Sequence, residues 1–84
     1  MFTVYAISSE MKNYIYVGMT SNIEQRIHAH NSGYERTTKP YRPFILLFSK
    51  EYSSRIEARM WEKYYKSTTG KTELRKIQGQ KNSY

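Results

Sequence analysis

Phe2-Thr3-Val4-Tyr5-Ala6-Ile7 and Tyr14-Ile15-Tyr16-Val17 are two β-branched and aromatic segments, separated by the polar run Ser8-Ser9-Glu10-Met11-Lys12-Asn13. Such side chains suit a pleated surface, so two of these segments with a short polar break between them predict a β-hairpin. A turn centred near Glu10-Met11 sets Tyr5 opposite Tyr16 and Ile7 opposite Tyr14. Because side chains alternate along a strand, those four share one face, and Val4, Ala6, Ile15 and Val17 line the other.

Gly18-Met19-Thr20 ends the second strand, and Thr20, Ser21 and Asn22 are candidate caps for a helix from about Ile23 to Asn31. Ser32-Gly33 supplies its stop. Ile23 and Ile27 lie one turn apart on its core side, and Arg26 and His30 one turn apart on an adjacent face. Residues 34–43 hold both prolines and several cations, which reads as a loop. Phe44-Ile45-Leu46-Leu47-Phe48 is the continuous apolar run and predicts a third strand buried on both faces.

Ser53 and Ser54 can cap a second helix. In it Ile56, Met60 and Tyr64 repeat every four residues, Trp61 and Tyr65 broaden the apolar stripe, and Glu62 and Lys66 fall on its flank. Trp61 is expected in the core. Thr68-Thr69-Gly70 interrupts the pattern, and a short third helix is expected over Lys71 to Ile77. The order ββαβαα predicts a small α/β (α+β) domain: a three-stranded antiparallel sheet flanked by two to three helices. It spans residues 1–77, and residues 78–84 are expected to form a flexible tail.

Eighty-four residues suffice for one small domain, so a catalytic core and a separate specificity domain do not both fit. The absence of cysteine excludes a disulfide framework, a thiolate zinc site and a thiol nucleophile, and suits a reducing compartment. Neither a membrane-length apolar run nor a signal-peptide pattern is present, so a cytoplasmic location is expected. Fourteen Lys and Arg against seven Asp and Glu give a formal charge of +7, which favours a polyanionic partner, nucleic acid before membrane.

Thr3-Val4-Tyr5, Tyr16-Val17-Gly18, Arg26, His30 and the segment Glu57-Ala58-Arg59-Met60-Trp61-Glu62 fall in an order and spacing that resembles the GIY-YIG nuclease superfamily. Thr3 and Val4 stand where that family usually carries Gly-Ile. The likeness covers Val4 to Lys66 and is closest to the compact single-domain bacterial members of the UPF0213 type. It implies an endonuclease that hydrolyses phosphodiester bonds, with Tyr5 as general base, Tyr16 as its orienting partner and Arg26 on the phosphate. It further implies His30 at the water, the phosphate or the proton, and Glu62 as ligand of one Mg²⁺ or Mn²⁺. Val17 and Gly18 complete the motif through the backbone.

The chemistry agrees with those residue types. Phosphodiester cleavage needs cationic support for the phosphate oxygens, a deprotonated water and stabilisation of the leaving oxygen. Arginine offers a permanently charged planar fork. Mg²⁺ commonly keeps several waters and few protein ligands, so one carboxylate can suffice. A phenol with an ordinary pKa near 10 is a poor base at neutral pH, so the Tyr5 pKa is expected to fall.

Arg36, Lys39 and Arg42, interleaved with Tyr34 and Tyr41, and Lys63 and Lys66 on the second helix are candidate nucleic-acid contacts. His28 has no counterpart in the motif set and reads as a surface residue. DNA is expected before RNA, with little sequence specificity, in repair or the processing of branched or single-stranded structures, and a partner protein can supply site choice. Two other classes compete: a non-catalytic nucleic-acid-binding module with the same fold, and a small protein-interaction domain.

Overall fold

The computed structural model describes residues 1–81; the Asn82–Tyr84 part of the expected tail lies outside the described residues. Strands β1 (Phe2–Ser9) and β2 (Ile15–Thr20) precede α1 (Ile23–Ser32). A 3-10 turn at Lys39–Tyr41 then leads to β3 (Phe44–Tyr52), α2 (Arg55–Lys66) and α3 (Thr68–Lys81). The sheet is antiparallel with order β2-β1-β3, so the expected ββαβαα domain is what the chain forms. No helix among the described residues is long and apolar enough to cross a membrane.

Alternation along β1 divides the molecule into two layers. Val4 and Ala6 join Ile15, Val17, Leu47, Ala58, Tyr65 and Leu74 in a core under α2 and α3. Tyr5 and Ile7 join Phe44, Tyr14, Tyr16, Ile23 and Ile27 in a second cluster under α1.

The hairpin register differs from expectation by two residues: Tyr5 pairs with Gly18 and Ile7 with Tyr16. The turn lies later in the chain because Ser9 closes it. The Ser9 Oγ accepts the amides of Met11 and Lys12, and the Ser9 amide reaches the Tyr14 carbonyl. Tyr14 is thereby drawn out of β2 to stack on Tyr41, with ring centroids 3.9 Å apart. A shift of two preserves parity, so Tyr5 and Tyr16 still share a face, now as diagonal neighbours.

The third strand is not buried on both faces. It lies at a sheet edge, leaving Ile45 39% and Leu46 37% exposed, while β1 occupies the doubly covered central position. The register slips between Ala6–Phe48 and Ile7–Leu46, so Leu47 is the extra residue of a bulge and is buried beside Phe48 on the α2 and α3 side.

The local signals of α1 act as expected. The Asn22 side chain accepts the Gln25 amide, and Gly33, at φ 84°, closes the end in the left-handed conformation that glycine adopts without a Cβ penalty. Helix α2 is turned differently from the expected stripe. Its buried side is Ala58, Glu62 and Tyr65, and Ile56 (78% exposed), Met60 (61%) and Trp61 (36%) face outward. Small Ala58 allows close approach to the sheet, and the rest of that side is Tyr65 and the stem of Glu62.

Gly70 does not interrupt structure; it lies inside α3, which is longer than expected. The helix runs through the first part of the expected tail, residues 78–81, and the Gln78 amide donates to the Ser8 hydroxyl at 2.7 Å.

Candidate active site

Four of the sequence candidates converge on the α1 face of the sheet. Tyr5 is anchored on the central strand and is 1% exposed. The Tyr16 ring lies 6.3 Å from it, and the His30 ring lies 5.9 Å from Tyr5 and 5.0 Å from Tyr16, centroid to centroid. One turn before His30, the Arg26 guanidinium reaches the Tyr5 hydroxyl from the partly exposed side of α1. Gly18 makes this closure possible. A Cβ at that position would stand 2.6 Å from the Tyr5 oxygen and 3.1 Å from the Tyr16 ring, so the strand backbone itself is the wall against which Tyr5 rests. Val17 points the other way, into the core under α2 and α3.

The hydrogen bonds assign the protons. The Thr38 hydroxyl donates to the Glu35 carbonyl at 3.4 Å and therefore accepts from His30 Nδ1–H at 2.8 Å. This leaves His30 Nε2 bare, to accept the Tyr5 hydroxyl at 2.9 Å. His30 is fully buried, and burial followed by the nearby charge of Arg26 lowers its pKa. Burial also dominates at Tyr5, whose pKa is pushed up to about 12 although the Arg26 hydrogen bond works in the opposite sense. Burial therefore moves the Tyr5 pKa upward, not downward as expected. About five units above neutrality corresponds to roughly 7 kcal/mol against the phenolate.

Glu35 and Thr38 escaped the sequence reading. The Glu35 carboxylate pairs with Arg26 at 2.6 Å, both side chains being one-third exposed, while its carbonyl receives the Thr38 hydroxyl. One loop residue thus touches Arg26 directly and His30 through Thr38. Burial disfavours the Arg26 charge, but hydrogen bonds to Tyr5 and Glu35 more than offset it and raise the arginine pKa. Nothing in the motif spacing marks Glu35. Thr38 had a single signal, its place beside the Lys39-Pro40 corner.

Glu62 stands apart from this group. It is buried on α2, on the other side of the sheet, with its Oε1 3.3 Å from Arg59 and its Oε2 3.2 Å from Lys66. Helix α2 packs on β1 and β2, and β2 is an edge strand, so the path from Glu62 to the tyrosines runs around that edge. Among the described residues no group of three or more His, Asp or Glu could hold a metal ion. The donor set therefore fits an ion held by one carboxylate and waters, not a closed protein cage. The two cations on Glu62 are themselves more than half exposed and can swing away.

The remaining basic candidates are dispersed. Arg36 and Lys39 are exposed on the loop, Arg42 lies over Gly33 at the end of α1, Lys63 is exposed on α2, and Lys66 is paired with Glu62. Tyr34 is 78% exposed, while Tyr41 is held by Tyr14 beneath a Lys12 ammonium 5.3 Å from its ring. His28 is exposed, with Ser32 as its neighbour.

A buried neutral histidine makes folding depend on pH. Its folded pKa is lowered, so below about pH 6.5 the unfolded chain binds a proton that the folded chain refuses. Stability is complete above that pH and falls as pH drops toward the folded value. Melting temperature measured from pH 7.5 to 5 is expected to show this loss, to keep it in His28→Gln and to lose this component in His30→Gln. Equal profiles for all three would remove the assignment.

A family model described as the GIY-YIG catalytic domain matches residues 1–78. The chain is 36% identical over 67 residues to UPF0213 protein SH2523 of Staphylococcus haemolyticus, covering 79% of this chain and 82% of the relative. It is 35% identical over 69 residues to UPF0213 protein YazA of Bacillus subtilis, covering 81% and 70% respectively. Its fold resembles the solution structure of UPF0213 protein BH0048 from Bacillus halodurans, with a TM-score of 0.55 and 30% identity over 94% of this chain and 87% of that one.

Proposed function

The chain belongs to the GIY-YIG family, a nuclease superfamily, and on that premise we propose that it is a metal-dependent endonuclease hydrolysing phosphodiester bonds of DNA with little sequence specificity. The observation that carries this reading is the buried Tyr5–His30 hydrogen bond with Arg26 against the same hydroxyl. It joins a proton donor, a neutral base and an anion-binding fork at one point. Branched or single-stranded structures, as met in repair, are the proposed substrates, recognised through shape and backbone charge and not through base contacts.

In the proposed reaction a phosphate oxygen takes the place of the Glu35 carboxylate on Arg26, whose fork binds either group in the same geometry. Because a free phenolate is disfavoured here, the Tyr5 proton moves along the existing hydrogen bond to neutral His30 Nε2 in the same step in which Tyr5 accepts one from the attacking water, and His30 later returns its proton to solvent. The new P–O bond forms as that water proton is lost. The bond to the leaving oxygen breaks in line, and that oxygen takes a proton from solvent. Tyr16 packs against both rings and holds their approach. A Mg²⁺ or Mn²⁺ ion held by Glu62 would supply the positive charge that stabilises the leaving oxygen.

Purified protein incubated with supercoiled, branched and single-stranded DNA tests this. Cutting is expected with Mg²⁺ or Mn²⁺, none with chelator, and a loss of about a hundredfold or more in Glu62→Ala, because removing the one proposed protein ligand should cost at least as much as removing a residue that only orients a ligand, about tenfold to hundredfold. Equal traces of cutting by wild type and Glu62→Ala would point to contamination and end the enzyme reading. The engagement of both Glu62 oxygens with Arg59 and Lys66 favours a second reading, a non-catalytic nucleic-acid-binding module. That reading requires salt-dependent DNA binding that neither metal nor Tyr5→Phe alters.

A further inference from the structure

Helix α2 has two apolar sides, and the sheet uses only one. Met60 points opposite Ala58, Glu62 and Tyr65, with Ile56 one turn before it, and both are more than 60% exposed. Two open hollows flank this ridge. One, of about 480 Å³, lies between α2 and α3 and is lined by Met60, Trp61, Tyr64, Tyr65 and Glu73. The other, of about 420 Å³, is lined by Ile56 and Met60 with Arg55, Arg59 and Lys63.

The charges around the ridge are sorted. Arg55, Arg59 and Lys63 follow one another at single-turn steps along one edge. Glu57 on α2 and Glu73 on α3, whose carboxylate accepts the Tyr64 hydroxyl at 2.7 Å, mark the opposite edge. We propose that this face is a docking surface for an amphipathic helix of a partner protein, with acidic residues along the edge that meets Arg55, Arg59 and Lys63 and basic residues along the edge that meets Glu57 and Glu73.

Charge complementarity selects that occupant over the others. Phosphates of a nucleic acid or an anionic membrane would meet the carboxylates of Glu57 and Glu73 on the second edge. A second copy packed antiparallel about a two-fold axis would set the cationic edge against its own equivalent, and a parallel pair, which opposes unlike edges, would still bring together two chains each at +7. The ridge itself, Ile56 and Met60, is aliphatic and fits side chains better than bases, and the rings of the hollow towards α3 are engaged with one another, Trp61 meeting Tyr52, Tyr64 and Tyr65. A helix with opposite charges on its two edges satisfies both rims and fills the hollows with its apolar residues.

The test uses two labelled helical peptides with the same leucine stripe. One has glutamates on one edge and lysines on the other; its control has lysines on both. Anisotropy is expected to show binding of the first peptide only. The affinity should fall about tenfold or more in Ile56→Ser/Met60→Ser and in Arg55→Glu/Lys63→Glu. Because these side chains are exposed, the melting temperature should stay close to wild type, separating lost docking from lost folding. No preference between the peptides, or no effect of the two double variants, overturns the proposal. So does single-stranded DNA competing for the same face, or a wild-type dimer in sedimentation that Ile56→Ser/Met60→Ser dissolves.

Discussion

Tyr5→Phe is expected to lower the DNA cleavage rate by about 10²- to 10⁴-fold, the range over which a positioned proton-transfer group contributes. The substitution removes one oxygen, and the ring retains its place against Gly18 and Tyr16. What disappears is the donor to His30 Nε2 and the contact of Arg26. A stability cost of roughly 1–3 kcal/mol follows from leaving a buried histidine nitrogen unsatisfied. Melting must therefore be measured beside activity, and the rate compared at a temperature where both proteins are folded. A wild-type rate in a folded Tyr5→Phe protein would remove Tyr5 from the chemistry. Because His30 must be neutral to take the Tyr5 proton, the wild-type rate should fall on the acid side, below the ordinary histidine pKa, as expected for a group whose pKa is lowered.

Gly70→Ala should have the largest effect on stability. A Cβ at position 70 would lie 2.1 Å from the Tyr64 carbonyl oxygen and 2.5 Å from the Tyr65 Cα, and both are helix backbone with no rotamer to yield. Helix α3 would have to swing away from α2, and it carries Leu74, fully buried in the core. Overpacking of this kind costs about 1–3 kcal/mol when side chains can yield and more when they cannot. Against a total stability of about 5–10 kcal/mol for a domain of this size, a drop in melting temperature of roughly 15 °C or more is expected. Gly79→Ala, in the same helix with open space around the Cβ, is the control and should be neutral or slightly stabilising. Similar melting temperatures for both variants would contradict the close helix crossing.

What the sequence made legible follows from how local the causes are. The Asn22 and Ser54 caps and the Gly33 stop are decided within four residues, and they stand where expected. Hairpin parity depends only on strand period, so Tyr5 and Tyr16 share a face even though the register moved by two. That move came from the Ser9 side chain and the Tyr14–Tyr41 stack, the second of which depends on a loop far along the chain.

The turned face of α2 was illegible for a different reason. Periodicity reports that a helix has an apolar stripe, not which surface covers it, and here Ala58 and Glu62 face the sheet while Ile56 and Met60 do not. The upward shift at Tyr5 was hidden likewise, since burial is a property of the assembled fold. Glu35 and Thr38 belong to an irregular segment in which no period exists to single them out. Within the candidate site, the tyrosines, Arg26 and His30 were readable as a set, and the loop that completes their hydrogen bonds was not.

The central place of β1 has an expected consequence for folding. Its partner on one side is the adjacent strand of the hairpin, but on the other it is β3, with Phe2 paired to Tyr52 at the far end of the ladder. Closing that second ladder brings together segments about half the chain apart, an entropic cost that comes before most of its contacts are formed. Until then β1 has an open edge and Tyr5 has Gly18 but not Phe44 beside it. The site under α1 is thus expected to be completed late, when β3 docks, and the backbone amides of β1 should be among the slowest to exchange with solvent.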